Sequence, residues 1–554
     1  MTEQVTARIG IDSRGVLGRV DRAIYGHFLE GNFFGNIQGG VFDEGSPLAL
    51  TETGPRNGLR RDVVEACHEL GVPVVRWPGG NYASAYHWED GIGPRDRRPR
   101  RLELTWGGQD GMSKEEDNHF GTDEFLAWCA AVGAEPYLNN PCRSVEEAVR
   151  WVEYTNYNGD SFYSRLRAAN GHPDPYGVRY WGLGNEVYGR WQMGHRDAAQ
   201  YAADAREHGV FMRHVDPSIQ LIGVGCPSEE WTRTLLQKAG SLLDYVSIHL
   251  YGASRHLFTA PAGNDEYEMT VAQPLFFEAE LRAYADLVAT EAQRAGIQRP
   301  LSLALDEWNM RHYEPADWPV PRPGQDGGIA PRQLPLTDPS TVQRLRVNRW
   351  SPRTSADALF YAGVLHVLQR QTGHIVPVRL ANTVNLVNAN GLFAVRPDGL
   401  VRSTIYYVWE LFQNHTGPIA LSAAVETAGE LRSVRWGAEV SAQGLFRSRS
   451  AFVPYIDAAA TLSEDRRTIH LSVINRHRSA AITTQLVVDG RLERVPPRAS
   501  VAALGADIDD PLAVNTIEDP DRVVTRQLGT VDLAEGRYTF PPHSITLLSM
   551  LQDW

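Results

Sequence analysis

Between residues 23 and 381 one pattern recurs eight times: a short apolar run ending at a polar turn, most often followed by an amphipathic stretch. The runs occupy 23–29, 73–77, 134–139, 178–184, 220–225, 244–250, 301–306 and 375–381. Short, nearly continuous apolar runs read as buried strands, and helical stretches between them imply parallel pairing. Helix boundaries are marked too. Asn57 precedes a helix-like stretch ending at Leu70-Gly71, Thr122-Asp123-Glu124 opens one that stops at Gly133, and Ser144 with Glu147 has capping-box spacing. Eight such units fit a closed (β/α)8 barrel better than a doubly wound open sheet.

The flanks follow a different rule. Val5, Ala7, Ile9 and Ile11 alternate with mostly polar neighbours, as in a half-buried strand. Beyond about residue 400 the helical pattern fades after Thr404 to Asn414. Short alternating segments such as 468–474 and 482–488 follow, punctuated by Asp489-Gly490, Pro496-Pro497 and Pro541-Pro542. These are the marks of a β-sandwich of jelly-roll type. The expected organisation is α/β: a catalytic barrel over 21–398, and a smaller all-β sandwich from 1–20 plus 399–554. The proline-rich stretch between 313 and 353 is expected to be a long loop after strand seven, with a lid as one use for it.

Composition removes several classes of function. A net charge of -13 argues against nucleic acid and anionic membranes as partners. The single basic cluster, Arg95 to Arg101, is short and broken by proline, which suits a solvated loop or a subunit contact. Cys67, Cys129, Cys142 and Cys226 form no Cys-x-x-Cys pair, so neither a zinc site nor a disulfide framework is expected. No apolar run is long enough to span a bilayer, and the first ten residues lack a signal peptide's apolar core. The expected setting is therefore cytoplasmic. No dinucleotide fingerprint, phosphate loop, nucleophile elbow or His-Glu-x-x-His is present.

Barrel enzymes carry their working residues at the C-terminal ends of the strands. Here those ends offer Glu30, then Arg76 with Asn81, Asn139 with Asn140, and Asn185 with Glu186. Gly225 with Cys226, His249 with Tyr251, Glu307, and Asn382 complete the ring. Surface polarity alone would not concentrate such groups at seven of eight ends. Two carboxylates from different strands are the minimal equipment for hydrolysing a glycosidic bond with retention. One attacks the anomeric carbon and the other protonates the leaving oxygen, the two standing roughly 5 Å apart. The acid needs a raised pKa, which desolvation or the neighbouring carboxylate can supply. Taken singly, each of these residues also has a plain structural reading. Arg76 could pair with a core carboxylate, Asn81 could be a turn residue after Pro78-Gly79-Gly80, and His249 could be a satisfied core histidine. Asp306 should face away from the cleft by strand alternation and act as support.

Several longer motifs resemble glycoside hydrolase family 51, mainly α-L-arabinofuranosidases. They are Ile24-Tyr25-Gly26-His27-Phe28-Leu29-Glu30, Arg76-Trp77-Pro78-Gly79-Gly80-Asn81, Tyr86-His87-Trp88-Glu89-Asp90-Gly91-Ile92-Gly93-Pro94 and Gly121-Thr122-Asp123-Glu124-Phe125. Gly133-Ala134-Glu135-Pro136-Tyr137, Trp181-Gly182-Leu183-Gly184-Asn185-Glu186, His249-Leu250-Tyr251 and Asp306-Glu307-Trp308-Asn309 continue the series in order. The resemblance implies Glu186 as acid/base and Glu307 as nucleophile. It implies furanose contacts or carboxylate positioning at Glu30, Arg76, Asn81, Trp106, Asn185, His249, Tyr251 and Asn382. It also implies no metal or cofactor, an oligosaccharide substrate, and a homo-oligomer, often a hexamer.

Three segments depart from the family pattern: Gly31 to Asn36, Asn139 to Ser144, and Asn382 where the family has glutamine. They leave the reaction type in place and bear on which sugar is held. The leading expectation is release of terminal α-L-arabinofuranosyl residues from arabino-oligosaccharides. The alternatives are the same mechanism on a D-arabinofuranoside, galactofuranoside or xyloside, a metal-dependent sugar isomerase on the same barrel, and a catalytically silent sugar-binding protein.

Overall fold

The computed structural model describes residues 6–254, 264–319, 344–428, 432–434, 440–442, 445–447 and 451–552. Eight parallel strands close on themselves: β1 (Gly26–Phe28), β2 (Val74–Trp77), β3 (Glu135–Asn140), β4 (Tyr180–Leu183), β5 (Gln220–Gly223), β6 (Tyr245–Ser254), β7 (Ser302–Pro315) and β8 (Val378–Thr383). Closure is made by β8 pairing back onto β1, with Asn382 opposite Gly26 and Thr383 opposite His27. All eight expected runs form barrel strands. The first is shorter than expected, because the Asp21 side chain accepts the Ala23 N–H and winds Arg22–Tyr25 into a 3-10 turn. β6 and β7 run longer, continuing past the mouth as a paired ribbon from Glu307 opposite His249 to His312 opposite Ser254.

Helices cover the barrel where their boundary signals stand. Thr122–Val132 ends at Gly133 with φ +83°, and Arg61–Leu70 at Gly71 with φ +76°, a left-handed geometry that glycine adopts without a Cβ penalty. Ser144 caps Val145–Asn156 by accepting the Glu147 N–H, but the Glu147 carboxylate pairs with His87 rather than closing the capping box.

A second, all-β unit contains a nine-stranded sheet. The N-terminal strand Thr6–Arg19 lies inside it, antiparallel to Ile419–Ala428 and parallel to Ile482–Val488. Ala7, Ile9 and Ile11 are buried while Arg8 and Asp12 are exposed, as the alternation requires. This unit has its own apolar core, distinct from the barrel's. It is tied to the barrel helix Ser355–Gln371 through half-buried Asp457, which accepts from Arg370 at 3.2 Å and Arg476 at 2.9 Å, beside His366. The basic cluster is internally balanced: Arg95 and Arg98 share Glu124, and Arg101 holds Asp90. All four cysteines are buried and free. Among the described residues no helix is long and apolar enough to cross a membrane. Most of the segment considered as a lid, 320–343, lies outside the described residues.

Candidate active site

The two glutamates reach the same space from different strands. β4 ends at Leu183, and Gly184, with φ +99°, turns the chain over the mouth. Glu186 follows at φ +43°, a left-handed conformation that a residue with a Cβ adopts only at a cost. Its Oε1 lies 2.9 Å from His249 Nδ1, and its Oε2 accepts the Trp191 indole N–H at 3.0 Å. Glu307, on β7, accepts from Arg76 Nη1 at 2.8 Å on Oε1 and from the Tyr251 hydroxyl at 2.5 Å on Oε2. One oxygen of each glutamate and one nitrogen of His249 all lie within 4.8 Å of one another.

The supporting groups come from β2, β3 and β7. Pairing between β6 and β7 slips between Ala304 and Glu307, so strict alternation breaks just before the nucleophile candidate. Asp306 therefore lies beneath the cleft as a brace. It accepts the Tyr137 hydroxyl at 2.8 Å and stands 3.4 Å from His249 Nε2 and 3.6 Å from Arg76 Nε. Arg76 also donates to Asn185 Oδ1 at 2.7 Å, and Asn185 in turn donates to Asn81. Glu30 is buried and accepts the Tyr82 N–H at 2.8 Å. Gly80 makes this crowding possible, since a Cβ there would stand 2.8 Å from Glu307 Oε1.

The electrostatics differ from the sequence expectation at one point. Burial alone would raise the Glu186 carboxyl, but the hydrogen bond and charge of His249, with the Trp191 N–H, hold it below its usual value. Burial likewise opposes charge on His249, yet Glu307, Asp306 and Glu186 outweigh it and lift the imidazole to about 10. The free site thus keeps the needed proton on the Glu186–His249 pair, not on Glu186 alone. Glu30 carries the strongly raised carboxyl instead, pushed by burial up to about 8 against the pull of the Tyr82 N–H.

The structure brings Glu186, Glu307, Arg76, Asn81, Asn185, His249 and Tyr251 into one hydrogen-bonded cluster, with Glu30 beside it. Trp106 stands at the rim, its ring centre 4.8 Å from that of Phe33. Asn382 is fully buried, and its amide donates to the His27 carbonyl across the β8–β1 seam. Of the departing segments, Phe33 and Phe34 pack with Trp106 at the rim. Asn139 and Asn140 donate to the Gly79 and Gly182 carbonyls. Trp191 and Gln192, which bonds Ser84 and Asn81, were not among the expected residues. Their proximity to Glu186 in the chain was the available signal. Glu186, His249 and Glu307 are also the one set among the described residues whose donors converge enough for a metal ion. The Arg76 guanidinium and the His249 charge already sit against those carboxylates.

A closed barrel with a carboxylate at the mouth of β4 and another at the mouth of β7, braced by arginine, histidine and tyrosine, defines a glycoside hydrolase. Residues 66–269 match the alpha-L-arabinofuranosidase 1 domain and 306–544 the alpha-L-arabinofuranosidase C-terminal domain, and alpha-L-arabinofuranosidase C of Emericella nidulans is 33% identical over 99% of this chain and 98% of that protein. The chain belongs to the α-L-arabinofuranosidases of glycoside hydrolase family 51. An intracellular exo-alpha-(1->5)-L-arabinofuranosidase of Halalkalibacterium halodurans is 30% identical over 87% of each chain. The alpha-L-arabinofuranosidase of Thermotoga maritima, solved as an arabinose complex, superposes with a TM-score of 0.80 at 34% identity, over 98% of this chain and 100% of that one.

Proposed function

We propose that this α-L-arabinofuranosidase is retaining and exo-acting, and that it releases terminal α-L-arabinofuranosyl residues from short arabino-oligosaccharides. The observation that carries this reading is the approach of Glu186 and Glu307, with carboxylate oxygens within 4.8 Å. Retaining pairs stand about 5–5.5 Å apart, whereas inverting pairs need about 6.5–9.5 Å to admit a water.

Glu307, held by Arg76 and Tyr251, attacks the anomeric carbon. The leaving oxygen takes its proton from Glu186, and His249 supplies that proton across the 2.9 Å contact. As Glu307 becomes a neutral ester, the field that held the imidazolium weakens, which favours the transfer. Glu186, now a carboxylate, deprotonates the incoming water. Attack of that water frees Glu307, and the proton returns to His249. Glu30, Asn81 and Asn185 surround the space for the furanose, with Trp106 at its rim. The reading extends to a barrel over 21–398 with a sandwich from both chain ends, a cytoplasmic setting and a homo-oligomer of hexameric type. The name of the bacillar relative, an intracellular enzyme, and four free cysteines support the setting.

Initial rates on 4-nitrophenyl α-L-arabinofuranoside, α-D-arabinofuranoside, β-D-galactofuranoside and β-D-xyloside test the sugar. The first is expected to dominate, with NMR showing the α-anomer as the first product. Preference for another glycoside, or an inverted product, would sink the reading. The proton inventory has its own test in His249→Gln. Wild-type kcat/KM should fall on the alkaline side only as the pair loses its proton, near pH 10. Removing His249 leaves the proton on Glu186 alone, so the alkaline limb should move well toward neutral pH, with kcat lowered roughly 10–100-fold. An unmoved limb would show that the pair does not carry the proton.

A further inference from the structure

Two arginines stand at the cleft without a carboxylate in direct ion-pair contact among the described residues. We propose that Arg311 and Arg349 form a leaving-group subsite for an aglycone that bears a carboxylate, such as a uronosyl residue. The proposal rests on the arabinofuranosidase reading above, because it concerns the half of the substrate that departs.

Arg311 lies on β7, four residues beyond Glu307. Its Cζ is 3.5 Å from the centre of the Tyr251 ring, the same tyrosine whose hydroxyl donates to Glu307. Arg349 comes from the segment before the helix Ser355–Gln371. Its Cζ is 5.1 Å from the Phe33 ring centre and 5.9 Å from that of Trp106. Both side chains are half-buried, so their charges are not fully solvated. Neighbouring arginines are satisfied. Arg346 holds Glu314 at 2.7 Å, and Arg353 donates to the Met310 and Asn390 carbonyls. Among the described residues no carboxylate lies within ion-pair distance of Arg311 or Arg349, and the buried Nε of Arg311 has no hydrogen-bond partner.

Glu186 and Glu307 favour the Arg311 charge from beyond ion-pair distance, but no carboxylate meets its N–H edges directly, and the partly buried Arg349 charge is costly to hold. Burial, and then repulsion from Arg311, hold the Arg349 guanidinium down at about 10. A guanidinium stacked on a ring keeps its N–H edges available, and those edges match a carboxylate bidentately. The arabinofuranosyl half of the substrate is uncharged and gives such a pair nothing to answer. The aglycone half can. The net charge of -13 disfavours a polyanion, so a single carboxylate close to the scissile bond is the ligand that fits.

The test uses the full-length enzyme and one α-L-arabinofuranosyl uronoside, as the free acid and as its methyl ester, so that the two substrates differ in one charge. At low salt kcat/KM is expected to be about tenfold or more higher for the acid, the size of a charge-assisted hydrogen bond. In Arg311→Gln/Arg349→Gln that ratio should fall to about one. A wild-type ratio of one or below overturns the proposal. Turnover of 4-nitrophenyl α-L-arabinofuranoside, measured alongside, separates the two claims. If it is hydrolysed while the ratio is one, only the subsite falls; if no arabinofuranoside is hydrolysed, the underlying reading falls with it. Should the double variant fail to fold, the wild type still decides by inhibition of nitrophenyl hydrolysis. The methyl glycoside of the uronic acid should inhibit about tenfold more strongly than its methyl ester, and equal inhibition overturns the subsite.

Discussion

Glu307→Gln is expected to lower kcat by roughly 10⁴-fold or more on every arabinofuranoside, leaving good and poor leaving groups equally slow. The amide is nearly isosteric, but it cannot form the ester. It also removes the negative charge that Arg76, Tyr251 and His249 are arranged around. Arg76 would keep Asp306 as its ionic partner, 3.6 Å from its Nε, so the fold should survive while the chemistry stops. A thermal unfolding midpoint close to wild type, together with the lost turnover, would assign the effect to chemistry. Substantial residual kcat in a folded variant would remove Glu307 from the nucleophile's role.

Glu186→Ala should behave differently at the two steps. An aryl glycoside whose phenolate leaves without protonation still loads Glu307, so a burst of one equivalent of nitrophenol is expected. Hydrolysis of the ester, which needs Glu186 as base, should then be slowed by roughly 10²–10⁴-fold. Unactivated oligosaccharides should lose both steps. Azide needs no deprotonation, and the alanine leaves space beside Trp191 and His249 for it, so azide should restore turnover and yield the α-arabinofuranosyl azide. Absence of both the burst and the azide product would count against Glu186 as acid/base. The variant also removes one of the anions facing His249, which lowers the imidazole's affinity for its proton. Because neither rescued step draws on that proton, the wild-type alkaline limb should be absent from the azide-rescued hydrolysis of an aryl glycoside.

Much of this was legible in the chain itself. Strand runs bounded by turn and cap residues placed the starts of β1 to β8 within a few residues, because a strand buried on both faces has little choice but continuous apolar side chains. The strand-end rule then placed Glu30, Arg76, Asn185, Glu186, His249, Tyr251 and Glu307 at one mouth, and the geometry joins most of them by hydrogen bonds. Asp306 was harder to place. Alternation alone turns it away from the cleft, and only the slip in β6–β7 pairing sets it under both His249 and Arg76.

What the amino-acid order determined by itself was local: where strands and helices begin and end, and which strand ends carry carboxylates. Those follow from periodicity, caps and backbone propensity, which act over a few residues. The tertiary structure alone decided how the charges answer one another. His249 is 63 residues from Glu186 in the chain, yet at 2.9 Å it reverses the effect of burial on that carboxyl. Arg311 and Arg349 come near each other, each stacked on a ring and without a carboxylate in direct contact among the described residues, only once β7 and the approach to Ser355–Gln371 meet over Tyr251 and Trp106. Coulombic and desolvation energies depend on distance and burial in three dimensions, and no spacing along the chain encodes either.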